Sequence, residues 1–343
     1  MLEGAERPHH HPRCSGDVMT DGKRRRILLT GGSGFVGSAV AHSLAAAGRD
    51  VALVLRANGD RARLSALATP PTLIEGDLTR PGPWERAVAD FRPDAVAHLA
   101  WWGVKGKDRD RREQHDNVTA SLRLYDAALA GGCRRFVGLG SQAEYGPCSA
   151  KIHESAPTRP TTVYGAAKLS TYLLLDRLAA KDGVSLAWLR LFSSYGPGDD
   201  PSWLIPYVTL TLLAGGRPKL TAAEQIWDYI YVDDVAAGVI ALCDSDAPGV
   251  FNIGSGTAVP LRDIIIAVRD LIDPALPLGF GESPYRPDQV MHLEADIAAL
   301  TTATGWRPRV SLDTGLRRTV DWFRAHNPAS SNSGSNAGPA RAG

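Results

Sequence analysis

Short apolar runs separated by amphipathic stretches recur through the first two thirds of the chain. "RRRILLTGGSGFVGSAVAHSLAAAGRDVALVLR" (24–56) reads strand, glycine turn, helix, strand. "ILLT" and "VALVL" are unbroken apolar runs, the pattern of strands buried on both faces. "FVGSAVAHSLAAAG" predicts a helix ending at Gly48. "TLIEGDL", "DAVAHLA", "RRFVGLGS", "SLAWLRLF" and "YIYV" supply further strands, the earlier of them separated by helical stretches. Strands alternating with helices predict an α/β fold, a doubly wound parallel sheet of the Rossmann kind.

After Leu191 the alternation fades, and residues 274–312 are rich in Pro and Gly. The expected division is a dinucleotide-binding domain of 25–195 with 228–260, and a smaller α/β substrate-binding cap of 196–227 with 261–326. Residues 1–24, with His9, His10 and His11 among Pro, Gly and charge, read as a disordered arm. Residues 327–343, rich in Ser, Gly and Asn, read as a disordered tail.

The glycine turn "TGGSGFVG" sits directly after a strand and opens a helix. Gly31 permits the tight turn, Gly34 lets backbone approach a pyrophosphate, and Gly37 lets helix and sheet pack closely. Ser33, Phe35 and Val36 complete the phosphate-facing turn, where free helix N–H groups favour an anion. The next strand runs into Arg56, where NAD-binding proteins place an acid for the ribose hydroxyls. An arginine suits a 2′-phosphate, so NADP(H) is favoured, with NAD(H) the alternative.

Tyr164 and Lys168 in "TVYGAAKLS" are spaced i, i+4 and share a helix face. A phenol beside an ammonium can exchange a proton with a sugar hydroxyl or carbonyl oxygen. Ser141 lies about two dozen residues upstream, in "GSQAEYGP".

These motifs resemble the extended short-chain dehydrogenase/reductases of the NAD-dependent epimerase/dehydratase family, which act on nucleotide sugars. The matching stretches are "TGGSGFVG", "GDL", "HLA", "GSQAEYG", "YGAAK", "RLFSSYGPG", "DYIYVDDVA" and "VFNIGSG", covering residues 26 to about 325 in the family's order. The resemblance implies that Asp77 and Leu78 flank the adenine, that Leu99 and Ala100 line the cofactor cleft, and that Asn117 lies on the helix behind the site. It further implies that Ser141 holds the reacting sugar oxygen, Tyr164 is the acid/base, and Lys168 holds the nicotinamide ribose.

Family members that dehydrate a sugar carry acids where this chain has Ala143 and, often, Gln142. Elimination needs both a base and an acid at the sugar. Glu144 is one place off, so dehydration is not expected. Two hydride chemistries remain: a 4-ketoreductase acting on an NDP-4-keto-6-deoxyhexose, and a 4-epimerase with tightly bound NAD. Arg56 favours the reductase, as does "HLAWWG", whose Trp101 and Trp102 would narrow the cleft. Trp227 stands where epimerases of the family often have a diphosphate-binding arginine, and Ser193 where many have asparagine. "EQIWDY" with "GSQAEYGP" resembles deoxysugar synthases such as the CDP-abequose synthases. Arg286 is the expected diphosphate cation, and Gln142, Glu144, Tyr145 and Trp102 are candidate sugar contacts. A non-catalytic dinucleotide-binding protein is the alternative from a different class.

Composition narrows the partners. The 343 residues carry a net charge of +1, so no field calls for nucleic acid or an anionic membrane. No apolar run spans a bilayer, and no signal peptide is evident. Four cysteines without a C-x-x-C pair suggest neither a zinc site nor a disulfide framework, and no metal is expected. The expectation is a cytoplasmic homodimer with a nucleotide-sugar substrate.

Overall fold

The computed structural model describes residues 25–286 and 289–326. The expected arm and tail lie outside them. Seven parallel strands form the main sheet: β1 (Arg26–Thr30), β2 (Asp50–Leu55), β3 (Thr72–Glu75), β4 (Ala95–His98), β5 (Arg135–Ser141), β6 (Ser185–Leu191) and β10 (Gly249–Ile253). Their order, β10-β6-β5-β4-β1-β2-β3, reverses direction at β1, so the carboxyl ends of β1 and β4 form the switch point at which sheets of this kind take ligands.

Both faces of the sheet are apolar because the central positions of the strands are apolar on both sides. Ile27, Leu29, Val51, Leu53 and Leu55 point to one face, against α1 (Phe35–Ala46) and α6 (Val232–Cys243). Leu28, Ala52, Val54, Val96 and Phe136 point to the other, against α2 (Pro83–Phe91), α3 (Gln114–Ala130) and α4 (Val163–Asp182). Helix α1 stops as the sequence predicts: Gly48 adopts φ +64°, and its N–H and that of Arg49 close the last turn on the carbonyls of Ala45 and Leu44.

One departure from the predicted strands concerns "YIYV". It forms β9 (Tyr229–Tyr231), which pairs only with the short β7 (Ser193–Tyr195), outside the main sheet. The seventh main strand is β10, in "VFNIGSG".

A second apolar cluster gathers α5 (Leu204–Leu213), α7 (Leu261–Ile272) and α9 (Leu312–His326) through Ile205, Val208, Ile265, Val268, Leu316 and Val320. Beside it, β8 (Ile226–Trp227) lies between β11 (Val259–Pro260) and β12 (His292–Leu293). Leu300 of α8 (Ala298–Thr304) and Trp306 depart from the expected division. Although they fall in the 261–326 stretch, they pack in the sheet-side core, where the Trp306 indole donates to the Asp234 carbonyl (3.0 Å).

Two acids of "DYIYVDDVA" act as internal clamps. Asp228, wholly buried, accepts from the N–H groups of Ser255 (2.6 Å), Gly256 (3.0 Å) and Ala295 (3.2 Å). The Asp234 carboxylate accepts from the N–H groups of Arg309 (3.0 Å) and Val310 (2.9 Å), fastening the approach to α9 onto α6. Asp234→Ala leaves two backbone donors unpaired and is expected to lower stability by about 3 kcal/mol. A drop in the urea midpoint with an unchanged slope checks this.

Candidate active site

The glycine turn is built to the limit of close approach. A Cβ on Gly31 (φ +74°) would lie 2.7 Å from Ala100 N, and one on Gly37 would lie 2.0 Å from the Gly31 carbonyl. The turn therefore sits against the end of β4, with Leu99 and Ala100 on its other side. The Ala100 N–H donates to Thr30 Oγ1 (3.2 Å). With Gly34 as the N-cap, the first N–H groups of α1, from Phe35, Val36 and Gly37, have no partner within the helix. Ser33 precedes the cap, half-buried. This cradle of bare backbone and free donors fits a dinucleotide pyrophosphate.

Arg56 is exposed immediately after β2, and its charge acts on Asp77, which follows β3. Burial opposes ionisation of Asp77. The Thr79 hydrogen bonds (2.7 and 3.0 Å), with Arg56 and Arg80, outweigh it and hold the carboxyl below its ordinary value. Leu78 beside it is half-buried against the sheet core.

Strand β5 delivers Ser141, and its glycines explain how. A Cβ on Gly138 or Gly140 would meet the Trp188 indole at 2.4 or 2.3 Å, so the alternating glycines make room for that ring. Ser141 then caps a single 3-10 turn, 142–144, with its Oγ accepting from Ala143 N (3.2 Å). Helix α4 starts at a Thr162 cap, whose Oγ1 accepts from Gly165 N (3.1 Å). A Cβ on Gly165 would lie 2.5 Å from the Ala143 carbonyl, so the glycine after Tyr164 lets α4 close onto the Ser141 turn. The Tyr164 hydroxyl thereby hydrogen-bonds with Ser141. Ser141, Tyr164 and Lys168 are brought together, each nearly buried.

Lys168 donates to the Leu139 carbonyl, and its ammonium lies 3.7 Å from the Trp101 ring centroid. Trp101 does not merely narrow the mouth. It stands edge-on to Tyr164 (centroids 6.2 Å, 88°), and its indole donates to the wholly buried Gln114 (2.9 Å). Asn117 accepts from Trp102 N (2.9 Å), holding the same loop, while the Trp102 ring is 40% exposed below Arg111. Burial pushes the Tyr164 phenol up, opposed by its Ser141 hydrogen bond and by Arg109. Burial also pushes the Lys168 ammonium down. His98 bridges Thr30 and Ser121 at 2.8 Å each, and burial, with the Lys168 charge, drives its pKa down to about 3, so it is neutral.

Two candidate sugar contacts are corrected. Glu144 is wholly buried: its carboxylate accepts from Ser141 N (2.9 Å), Trp188 Nε1 (2.9 Å) and Arg190 Nε (2.7 Å). Tyr145 is 1% exposed, with its hydroxyl donating to Asn252 (2.7 Å) and Arg190 stacked on its ring. Both point into the protein because the 3-10 turn redirects the chain after Ser141. Gln142 is half-buried on that turn, and Ser193 is half-buried at the start of β7. The Trp227 indole donates to the Val290 carbonyl (3.2 Å) and packs on Tyr229. Arg286 is exposed on the segment leading to β12.

The sequence reading missed Arg109, whose guanidinium lies 4.5 Å from the Tyr164 ring centroid. It sits in the charged run "KGKDRDRR", which carries no periodicity and reads as solvated surface. Asp110 beside it accepts from Val163 N (3.1 Å), and Lys105 pairs with Asp200, so this strap is tied to α4 and to the loop after β7.

The cradle, the switch-point crevice and the Ser–Tyr–Lys set define a dinucleotide-dependent oxidoreductase of the short-chain type. The description of the NAD dependent epimerase/dehydratase family matches residues 27–254, and the chain belongs to that family. It is an enzyme of the extended short-chain dehydrogenase/reductase kind. It is 30% identical to the UDP-glucose 4-epimerase of Azospirillum brasilense, over 88% of this chain and 92% of that one. It is 28% identical to a dTDP-glucose 4,6-dehydratase of Streptomyces antibioticus, over 87% and 92%. Among solved structures, the Thermus thermophilus UDP-glucose 4-epimerase in complex with NAD superposes with TM-score 0.77 at 30% identity, covering 87% of this chain and 99% of that one. Among the described residues, no helix is long and apolar enough to cross a membrane.

Asp199, 5% exposed on the loop after β7, carries a pH signature. Burial, with the neighbouring Asp200 charge, raises its carboxyl to about 7 against the pull of Arg63 and Lys105. Its folded pKa lies above its unfolded one, so the folded state holds the proton longer. Its effect on stability is therefore harmless at low pH and becomes a loss as pH rises towards 7. Asp199→Asn is expected to remove a fall on the order of 2 kcal/mol between pH 5 and pH 8, read as the difference in urea midpoints from the parent protein.

Proposed function

We propose that the chain reduces the 4-keto group of a nucleotide-linked 6-deoxyhexose, with NADPH as the favoured cofactor. The turn after Ser141, with no solvent-facing acid, argues against dehydration, and the observation that carries the reductase reading over epimerisation is Arg56, exposed at the end of β2 where NAD-binding proteins place an acid. Gln142 and Ala143 offer no carboxylate, and the nearest, Glu144, is enclosed with all its charge paired to the interior. The dehydratase chemistry of some relatives needs an acid and a base at the sugar. This turn provides a hydroxyl and an amide.

The Gly31–Gly37 turn and the α1 N-terminus would hold the pyrophosphate, and Lys168 and Tyr164 the nicotinamide ribose end. When bound, the reduced nicotinamide supplies a hydride. Ser141 then holds the carbonyl oxygen by its hydroxyl proton, since its Oγ lone pair already accepts from Ala143 N. Tyr164 gives its proton to that oxygen. Lys168 and Arg109 place positive charge beside the phenolate left behind. Trp102, Gln142, Ser193, Trp227 and Arg286 are proposed to face the nucleotide sugar. Leu173 and Leu174, 54% and 46% exposed on α4, support the homodimer reading.

The second reading, a 4-epimerase with tightly held NAD, is favoured by the 4-epimerase identity of the Azospirillum relative. Denaturing the purified protein and identifying the released dinucleotide separates the two. Released NAD supports the epimerase. An empty protein that binds NADPH above NADH supports the reductase, and Arg56→Ala should then weaken NADPH by about tenfold with little change for NADH. Tyr164→Phe is expected to lower kcat by about 100-fold or more with the cofactor still bound. Steady-state reduction of an NDP-4-keto-6-deoxyhexose checks it, and turnover near that of the parent removes Tyr164 from the proton step.

A further inference from the structure

We infer that Arg109 is a positioning residue acting through Tyr164: its guanidinium, more than the Lys168 ammonium, is the cation that steadies the phenolate left when Tyr164 gives up its proton. That Tyr164 carries the proton rests on the reading above; the placement of the charge does not.

The register of two elements puts Arg109 where it is. Asp110 Oδ1 accepts from Val163 N (3.1 Å), so the residue after Arg109 is tied to the residue before Tyr164. The wholly buried Gln114 of α3 holds the strap as well, its amide donating to the carbonyls of Gly103 (2.8 Å) and Asp108 (3.0 Å). Gly103 permits this at φ +75°, since a Cβ there would lie 2.6 Å from the Gln114 amide nitrogen. Between these ties the half-buried Arg109 guanidinium lies over the Tyr164 ring, 4.5 Å from its centroid.

The other cations of the strap are engaged elsewhere. Lys105 pairs with Asp200, Arg111 pairs with Glu113 and Asp108, and Lys107 and Arg112 are exposed. Among the described residues Arg109 has no carboxylate partner, and one of its nitrogens meets the Val104 carbonyl at 3.5 Å. Its charge is therefore not cancelled locally. Lys168 is turned away by comparison. Its Nζ donates to the Leu139 carbonyl, lies 3.7 Å from the Trp101 ring centroid and stands 6.0 Å from that of Tyr164. The remaining neighbours of Tyr164 are Ser141 from β5, which hydrogen-bonds with its hydroxyl, and the uncharged Trp101 ring. Glu144 lies behind Ser141 with its charge paired to Arg190. Tyr164 is 7% exposed, and burial alone makes its phenolate costly. A cation on a ring shielded from water offsets that cost more than one in solvent does.

Arg109→Met removes the charge and keeps the length, and Arg109→Lys keeps a cation at the same point of the strap. Tyr164 is titrated by phenolate absorbance in the complex with NAD+ or NADP+, each protein against its Tyr164→Phe counterpart. Arg109→Met should raise the midpoint by about one pH unit and lower kcat about tenfold with KM little changed. Arg109→Lys should recover most of both. Dinucleotide affinity should stay within about twofold in Arg109→Met and weaken further in Lys168→Met, which separates the two cations. Arg109→Gln repeats the test if the methionine variant does not fold. An unmoved midpoint in a variant that binds dinucleotide would overturn the inference. A raised KM at unchanged kcat would overturn it too, since that marks an arginine that binds substrate. No sugar enters the titration. A raised midpoint in a protein that reduces no 4-keto sugar nucleotide would therefore reject the reductase reading and keep the role of Arg109.

Discussion

A carboxylate with no access to water constrains everything packed around it. Glu144 joins three elements at once: the end of β5 through Ser141, β6 through Trp188 and Arg190, and the 3-10 turn on which it stands. Breaking such a group by removing one partner costs far more than the pair contributes, so each donor must stay where it is. Ser141 is therefore held from behind by the Glu144–Arg190 salt bridge rather than by apolar packing alone. The glycines of β5 serve the same arrangement, since Trp188 reaches Glu144 only because Gly138 and Gly140 have no side chains. Buried acids recur as clamps elsewhere. Asp228 and Asp234 each collect backbone N–H groups from segments that leave the sheet, tying the smaller cluster to the larger one.

Close backbone approach is the second constraint, and it acts on both sides of the cleft. On the cofactor side Gly31 meets Ala100 and Gly37 meets Gly31. On the reacting side Gly165 meets the Ala143 carbonyl. The contacts set the α1 N-terminus against the end of β4 and the α4 N-terminus against the turn after β5. The strap after β4 is pinned by Asn117 and Gln114 from α3, by its own Asp110 to Val163 N of α4, and by the Lys105–Asp200 pair. Trp101 and Arg109 owe their places at Lys168 and Tyr164 to these pins.

The parallel sheet was legible because strands buried on both faces must be apolar throughout, and Ile27–Leu29 and Val51–Leu55 are. The glycine turn and the Tyr164–Lys168 spacing were legible because each is a local pattern with a local cause. "YIYV" has the composition of a central strand, but pairing is a tertiary choice, and it paired with β7 instead. Glu144 and Tyr145 were misread for a related reason. A polar residue next to a candidate site serine looks like a ligand contact until its partner is known, and Arg190 lies 46 residues from Glu144. Arg109 and Trp101 left no periodic trace because a largely irregular strap with a single 3-10 turn, 106–110, carries them.

The same turn explains why so little chemistry fits behind Ser141. Its first residue, Gln142, is half-buried and carries no charge. Its second, Ala143, is 8% exposed, and its carbonyl is pressed close enough to α4 that only glycine is tolerated opposite. Its third, Glu144, turns inward and is neutralised by Arg190. With no free acid at those positions, the polar groups beside Tyr164 among the described residues are a serine hydroxyl, an ammonium and a guanidinium. Such a set can hold one oxygen and move one proton to or from it. A second proton at a neighbouring carbon would need a base that the turn does not place there.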